Sequence, residues 1–413
     1  MNKQKLEAYY GLPQNVLFCK NCVMSNQKPN STAEFTHKID SKKDTLLISE
    51  DGLCSACKIT NNKDNQIDWK KREEQLVALL DKHRKNDGSY DCLIPGSGGK
   101  DSAYQAHILK YKYGMNPLTV TWPPIMYTDY GRQNFINWID VGGFDNISYY
   151  RNGKVLKTLT KLSIENLFHP FQTFILGQMN LAPKLAAKFG INLIFYGENP
   201  TEYGNAAEGD ATPYKSASYF TFDKMDDIYL GGVSVKELKE KYGIKPVDLM
   251  PYMPPTREEL EKADVKVCYL GYFLKWVPQE AYYYAVENTG FKARPFRSQG
   301  TYSKYQSIDD KIDDLHYYST FIKFGIGRAT YDASQEIRNN HLTREEGVAL
   351  VEKFDGEFPD RYFNEVLNWL EMTPERFIEL CDKFRSPHLW KKDESGTWKL
   401  RHTVGGKGLD DIN

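Results

Sequence analysis

Between residues 66 and 200 the chain alternates short apolar runs with longer amphipathic stretches. The runs YDCLI from Tyr90, PLTVTW from Pro117, NISYY from Asn146 and NLIFYG from Asn192 predict four strands. DWKKREEQLVALLDKHRK sets Leu76, Leu79, Leu80 and His83 at helical spacing, with Asp68 suited to cap its start. DSAYQAHILKYKYG predicts a helix stopped by Gly114, and VLKTLTKLSIENLF and LAPKLAAKFG predict two more, the second broken or started by Pro183. Strands alternating with helices imply right-handed crossovers and a parallel sheet.

Past about residue 250 the pattern changes to aromatic, charged helices: TREEGVALVEKF, PDRYFNEVLNWLEM and TPERFIELCDKF. Thr343 and Thr373 suit N-caps and Pro374 a first helical position. Before the first predicted helix, ITNNKDNQID reads as a polar linker. Three regions are expected: a cysteine-bearing module at 1–66, an α/β domain at 67–250 and a helical region at 251–413. The fold class expected is α/β, a doubly wound, mostly parallel sheet with an N-terminal zinc-ribbon-like module.

At 413 residues the chain is too long for one ordinary core. Lys+Arg of 54 against Asp+Glu of 55 leaves a net charge of −1, so no global field draws it to nucleic acid or to an anionic membrane. No apolar run reaches membrane-spanning length and the N-terminus lacks a signal-peptide pattern, which predicts a soluble, cytoplasmic protein. Seven cysteines, four in two tight pairs, fit a reducing compartment better than a disulfide scaffold.

Those pairs, Cys19-Lys20-Asn21-Cys22 and Cys54-Ser55-Ala56-Cys57, each present two thiolates to one tetrahedral ion. Zn²⁺ is the first reading. A redox CxxC, an iron–sulfur cluster and unligated thiols are the alternatives, and His37 between the pairs is a possible substitute ligand. Four cysteines close the coordination shell, so the metal would be structural; in isolated zinc-finger peptides such a site supplies roughly 10–16 kcal/mol of folding free energy.

LIPGSGGKDSAYQ, residues 93–105, runs from an apolar strand into a helix through three glycines and two serines, which suits backbone donors gathered around an anion. Walker A would need glycine where Ile94 stands and Ser or Thr where Asp101 stands, and a dinucleotide fingerprint fails at Asp101 as well. What matches is Ser97-Gly98-Gly99-Lys100-Asp101-Ser102, which resembles the SGGxDS signature of the PP-loop ATP pyrophosphatases. The resemblance implies that Ser97, Gly98, Gly99 and Ser102 contact the β,γ-phosphates of ATP, that Asp101 supports the loop or a Mg²⁺ ion, and that a substrate oxygen attacks the α-phosphate. Lys100 holds the variable position and adds a charge. By the same resemblance Thr121 and Trp122 lie near the nucleoside. Glu198 and Asn199 stand at the sheet's carboxyl edge, where ligands gather.

CKNCVMSNQKPN, DGLCSACK, the SGGKDS loop, VTWPP, FYGENP and IKFGIGRATYDASQEIR together resemble the N-acetyl sugar amidotransferases of the WbpG and PseA type over most of the chain. The resemblance implies an ATP-dependent, AMP-forming enzyme. It would adenylate the carbonyl oxygen of an N-acetylated bacterial sugar and replace that oxygen with nitrogen from ammonia. The products would be acetamidino sugars such as forms of pseudaminic or legionaminic acid, used in lipopolysaccharide or on flagellin. Asp101, Lys100 and Glu198 are the candidate catalytic residues. Cys92 falls mid-strand, Cys268 and Cys381 fall in apolar segments, and the chain begins Met1-Asn2, so a separate glutaminase subunit is expected to supply the ammonia.

The basic stretch FKARPFRSQGTYSKYQ, with Lys292, Arg294, Arg297 and Lys304, is either an anion site or a solvated face balanced by Asp309, Asp310, Asp313 and Asp314. Two rivals stand beside the amidotransferase. A PP-loop tRNA thiolase would need a catalytic cysteine near the nucleotide and a basic surface, and a zinc-ribbon binding protein would leave the ATP loop vestigial.

Overall fold

A computed structural model describes residues 6–30, 34–204 and 212–411. Its centre is a six-stranded sheet made of β1 (Cys92–Pro95), β2 (Pro117–Thr121), β3 (Asn146–Ser148), β4 (Leu193–Tyr196), β5 (Tyr214–Lys215) and β6 (Lys266–Tyr269). The strand order is β3-β2-β1-β4-β6-β5. Every neighbouring pair is parallel except β5 with β6. The four strands expected from apolar runs all form, and the sheet is doubly wound. The winding reverses between β1 and β4, which opens a crevice at their carboxyl ends.

Helices cover both faces, and strand alternation divides the core. Leu93 and Ile194 pack with Leu176, Met179 and Ala182 of α6 (Gln172–Phe189) and with α5 (Gly153–Leu167). Cys92, Ile94, Leu193 and Phe195 point the other way, onto α2 (Trp69–His83), α3 (Lys100–His107) and α4 (Asp129–Asp140). Burial on both sides is why these strands read as unbroken apolar runs. Asp68 caps α2 as expected, its side chain accepting from Lys71 N at 3.1 Å.

The C-terminal part contains α7 (Pro278–Thr289), α8 (Asp313–Phe324), α9 (Arg328–Arg338), α10 (Arg344–Phe354), α11 (Asp360–Leu370) and α12 (Pro374–Phe384). Thr343 caps α10 in a reciprocal box with Glu346, and Thr373 caps α12 ahead of Pro374.

Three expectations are corrected. Pro183 neither breaks nor starts a helix: α6 begins eleven residues earlier and runs through it, because Leu176, Met179, Ala182 and Ala186 bury a continuous face that outweighs one missing hydrogen bond. The stretch taken for a linker is mostly helix α1 (Ser55–Asn65), and its Lys63 is buried, donating to Trp276 O at 3.0 Å and paired with Glu202 at 3.0 Å. The sheet does not end near residue 250 either, since β6 is its fifth strand and α7 packs on α3. The cysteine module shares one core with α8, α9, α11 and α12. Among the described residues no helix is long and apolar enough to cross a membrane.

Candidate functional site

β1 ends at Pro95, and the chain turns through Ser97-Gly98-Gly99 into the N-terminus of α3, at the crevice where the sheet reverses. The two glycines serve different ends. Gly98 has φ +82°, and a Cβ there would stand 2.6 Å from Phe135 Cα, so the fold itself demands glycine. Gly99 has φ −67° and ψ 163°, which any residue adopts, and a Cβ there would meet only Ser97 Oγ at 3.6 Å. Its missing side chain leaves the face of the helix start open, in a place suited to phosphate oxygens.

The side chains of the loop are held in place around it. Lys100 is buried and ion-paired with Asp101, whose other oxygen, Oδ1, is buried with no partner among the described residues. Ser102 donates its hydroxyl to Gly99 O at 3.0 Å and braces the turn. Ser97 is hydrogen-bonded to the carboxylate of Asp309.

A cavity opens on each side of the loop, and Ser97, Gly99 and Asp101 wall both. The larger, about 420 Å³, runs between the loop, Ile175 and Met179 of α6, and Tyr196, Glu198 and Tyr219. The smaller, about 210 Å³, lies between the loop and Asp309, Asp313 and Arg328. Glu198 at the β4 exit is pushed up to about 7, first by burial and then by the charge of Asp101; Lys100 and a hydrogen bond from Tyr203 pull the other way. Burial raises Asp309 and Asp313 as well, and repulsion from Asp309 adds to the rise at Asp313, which Arg328 opposes. The loop, Lys100, Asp101 and Glu198 thus meet in one place.

Two expected ligand residues lie elsewhere. Thr121 is fully buried in the sheet, its Oγ1 accepting from Asn146 Nδ2 at 2.9 Å, so it faces β3 and not the cavity; the next residue, Trp122, packs on Gly177 and beneath Arg151. Asn199 caps the short turn at Pro200–Tyr203 by accepting from Thr201 N at 3.1 Å, and it walls a separate cavity beside α1 and α2. The basic stretch is held by contacts within the protein, with Arg294 buried and Arg297 half-buried. Arg294 donates to Ile308 O, and Arg297 grips both oxygens of Glu357 at 2.6 Å. Asp309 and Asp313, read from sequence as counter-charges on a solvated face, instead border the loop; the signal that marks them is the repeated Asp-Asp of SIDDKIDD.

The two cysteine knuckles converge. All four Sγ atoms lie within 4.8 Å of one another and are buried, with Cys19 to Cys57 at 3.8 Å and Cys22 to Cys54 at 3.7 Å. A tetrahedron with metal–sulfur bonds of about 2.3 Å has edges of about 3.8 Å, so the cage fits one ion. An iron–sulfur cubane would hold its thiolates wider apart, because four irons stand between them. Asn21 Nδ2 and Cys54 N donate to Cys57 and Cys19 sulfur. His37 binds Glu34 and takes no part in the cage. Cys92, Cys268 and Cys381 are buried with thiols raised by that burial, and none walls the loop cavities.

The solved structures to which the chain is distantly similar include the following. One is an NH3-dependent NAD synthetase from Campylobacter jejuni (TM-score 0.25, 19% identity, 31% of this chain and 56% of that one). The second is the U34-tRNA thiolase NcsA from Methanococcus maripaludis with its [4Fe-4S] cluster (TM-score 0.30, 11%, 82% and 89%). The third is an NMN synthetase from Francisella tularensis (TM-score 0.21, 14%, 61% and 94%). An uncharacterized protein from Methanocaldococcus jannaschii is 36% identical over 52 residues, which is 13% of this chain and only 19% of that protein's length. The family model described as LPS biosynthesis protein WbpG-like, C-terminal domain matches residues 299–404, the stretch that carries Asp309, Asp313 and Arg328 to the glycine loop. Residues 299–404 are thus similar to a WbpG-like C-terminal domain, and they follow a doubly wound sheet whose first crossover begins with SGGKDS.

Proposed function

We propose that the protein is an ATP-dependent amidotransferase that converts the N-acetyl group of a bacterial surface sugar into an acetamidino group. The observation that carries this reading is the open face at Gly99, set at a helix N-terminus between two cavities that both reach Asp101. The acetamido oxygen attacks the α-phosphorus of ATP, and the bond to the bridging oxygen breaks to release pyrophosphate. Ammonia then adds at the activated carbon, AMP leaves with the original oxygen, and a proton passes to a base.

Backbone N–H groups from Gly98 onward and the buried Lys100 face the β,γ-phosphates in this reading, Asp101 positions Lys100, and Glu198 takes the proton from ammonia. A group poised near 7 suits that task, being partly ionised at neutral pH. Asp101, Asp309 and Asp313 are the carboxylates that would hold Mg²⁺, which when bound neutralises charge on the departing pyrophosphate. Most of the rate would come from positioning and charge stabilisation. The cysteine cage is read as a structural Zn²⁺ site. With Cys92, Cys268 and Cys381 buried away from the loop, a separate glutaminase subunit is proposed to deliver ammonia, and the setting proposed is the cytoplasm. The same burial argues against a thiolase.

The test is to incubate the protein with ATP, Mg²⁺, ammonium and a panel of N-acetylated sugars, and to seek by mass spectrometry one oxygen exchanged for NH. Sulfur incorporated into tRNA, with every sugar unchanged, would overturn the reading.

A further inference from the structure

The segment 197–204 carries Glu198 into the larger cavity beside the glycine loop and is gripped at both ends. At its start, just past β4, Gly197 O accepts from Gly271 N at 2.9 Å, just past β6. At its far end the grip comes from the cysteine module. Ser55, inside the second cysteine knuckle, donates its hydroxyl to Gly204 O at 2.9 Å. Gly204 has φ +80°, and a Cβ there would stand 2.3 Å from Leu46 Cδ1 and 3.1 Å from Ala56 N, so the module lies directly on bare backbone. Lys63 of α1 is buried and pairs with Glu202 at 3.0 Å while it donates to Trp276 O at 3.0 Å.

Tyr203 stands between these two anchors, on the turn Pro200–Tyr203. Its phenol donates to the carboxylate of Glu198. Glu198 lies on neither a helix nor a strand, and a glutamate has three side-chain torsions, so the local backbone does not aim it. The charges around it act in opposite senses: Asp101 on α3 and Glu202 on the turn disfavour its ionised form, and Lys100 on α3 favours it. Those charges set its protonation but not its direction. A hydrogen bond from a ring held by a braced turn supplies the direction. Tyr203, Ser55 and Lys63 are all absent from the walls of the two cavities beside the glycine loop, so the phosphates need none of them.

We propose that the cysteine module is a positioning device for the base: Ser55 and Lys63 fix the turn, and Tyr203, carried on that turn, aims the Glu198 carboxylate at the incoming nitrogen. An N–H proton of the added nitrogen passes to that carboxylate as AMP leaves with the electron pair of the carbon–oxygen bond. The proposal rests on the amidotransferase reading and adds three positioning residues that serve nitrogen transfer and not adenylation.

The test separates the two halves of the reaction in the full-length protein, with an N-acetylated sugar that the wild type turns over. The pyrophosphate burst in rapid quench reads adenylation, and nitrogen-15 from labelled ammonium appearing in the sugar reads transfer. Tyr203→Phe and Ser55→Ala are the variants, either being sufficient should the other fail to fold. Tyr203→Phe is expected to slow transfer about tenfold and Ser55→Ala several-fold, as for a misaimed general base, with the burst and the metal per chain kept at the wild-type values. Combined with Glu198→Gln, Tyr203→Phe should cost nothing further, because no base is left to misplace. Undiminished transfer in a folded Tyr203→Phe, equal losses of burst and transfer, or a full further loss on the Glu198→Gln background would overturn the proposal and leave the reaction standing. A wild type that transfers nitrogen to no sugar would remove the reaction, and the proposal with it.

Discussion

Adding one methyl group at Gly99 separates the loop's ligand role from its role in the fold. An alanine Cβ at this position meets nothing nearer than Ser97 Oγ at 3.6 Å, and the backbone angles suit alanine. Glycine is better than alanine as an N-cap by about 0.5–1 kcal/mol, while alanine recovers about 0.4–1 kcal/mol by restricting the unfolded chain. The two nearly cancel, so Gly99→Ala should melt within a few degrees of wild type. Gly98→Ala is the control. Its left-handed φ costs about 1–2 kcal/mol for alanine, and its Cβ 2.6 Å from Phe135 Cα adds overpacking, for about 3 kcal/mol or more in total. Thermal unfolding should therefore show Gly98→Ala clearly destabilised and Gly99→Ala not. Pyrophosphate release should nonetheless fall about 10²-fold in Gly99→Ala, because the methyl occupies space required by phosphate oxygens and pushes them off the backbone donors. A folded Gly99→Ala with wild-type pyrophosphate release would refute the reasoning, since the open face would then hold nothing.

Glu198→Gln should abolish the rising limb of the pH–rate profile near 7 and, at pH 8, raise stability. Burial lifts the folded carboxyl from 4.5 to about 7, so its favourable contribution is full below about 4.5 and is lost as pH rises through 7; the amide escapes that loss, worth on the order of 1–3 kcal/mol, and chemical denaturation at pH 5 and 8 reads the difference. Cys19→Ser should release the metal, measured as metal per chain by plasma mass spectrometry, and lower the melting temperature of the C-terminal helices too, since the cage shares a core with them and Arg344 donates to Cys19 O. Arg297→Ala should cost about 1 kcal/mol or less, the Glu357 pair being partly exposed, with no change in sugar or ATP affinity by calorimetry.

The sequence made the sheet and the loop legible because each depended on local chemistry. Apolar runs buried on both faces marked β1, β2 and β4, Asp68, Thr343 and Thr373 marked helix starts, and the glycines with Asp101 marked a helix-terminal anion loop. What it hid depended on tertiary contact. β6 follows a stretch of short helices, and its Lys266-Val267-Cys268-Tyr269 is too brief to stand out. Lys63 looked like a linker residue until Glu202 and Trp276, more than a hundred residues away, buried it. Thr121 sits at a strand end that points toward nucleotide in sequence logic, yet Asn146 on the neighbouring strand claims its hydroxyl. Asp309 and Asp313 carry ordinary surface composition, and only the return of the C-terminal domain over α4 sets them against Ser97.

The central claim is that an acetamido oxygen becomes bonded to the α-phosphorus of ATP. Carrying oxygen-18 in the acetyl carbonyl of a turned-over sugar, with ammonium as nitrogen source, tests it directly by mass spectrometry of the nucleotide. The label is expected in AMP and absent from pyrophosphate. Unlabelled AMP alongside amidinated sugar, or label released to water, would contradict adenylation at that oxygen.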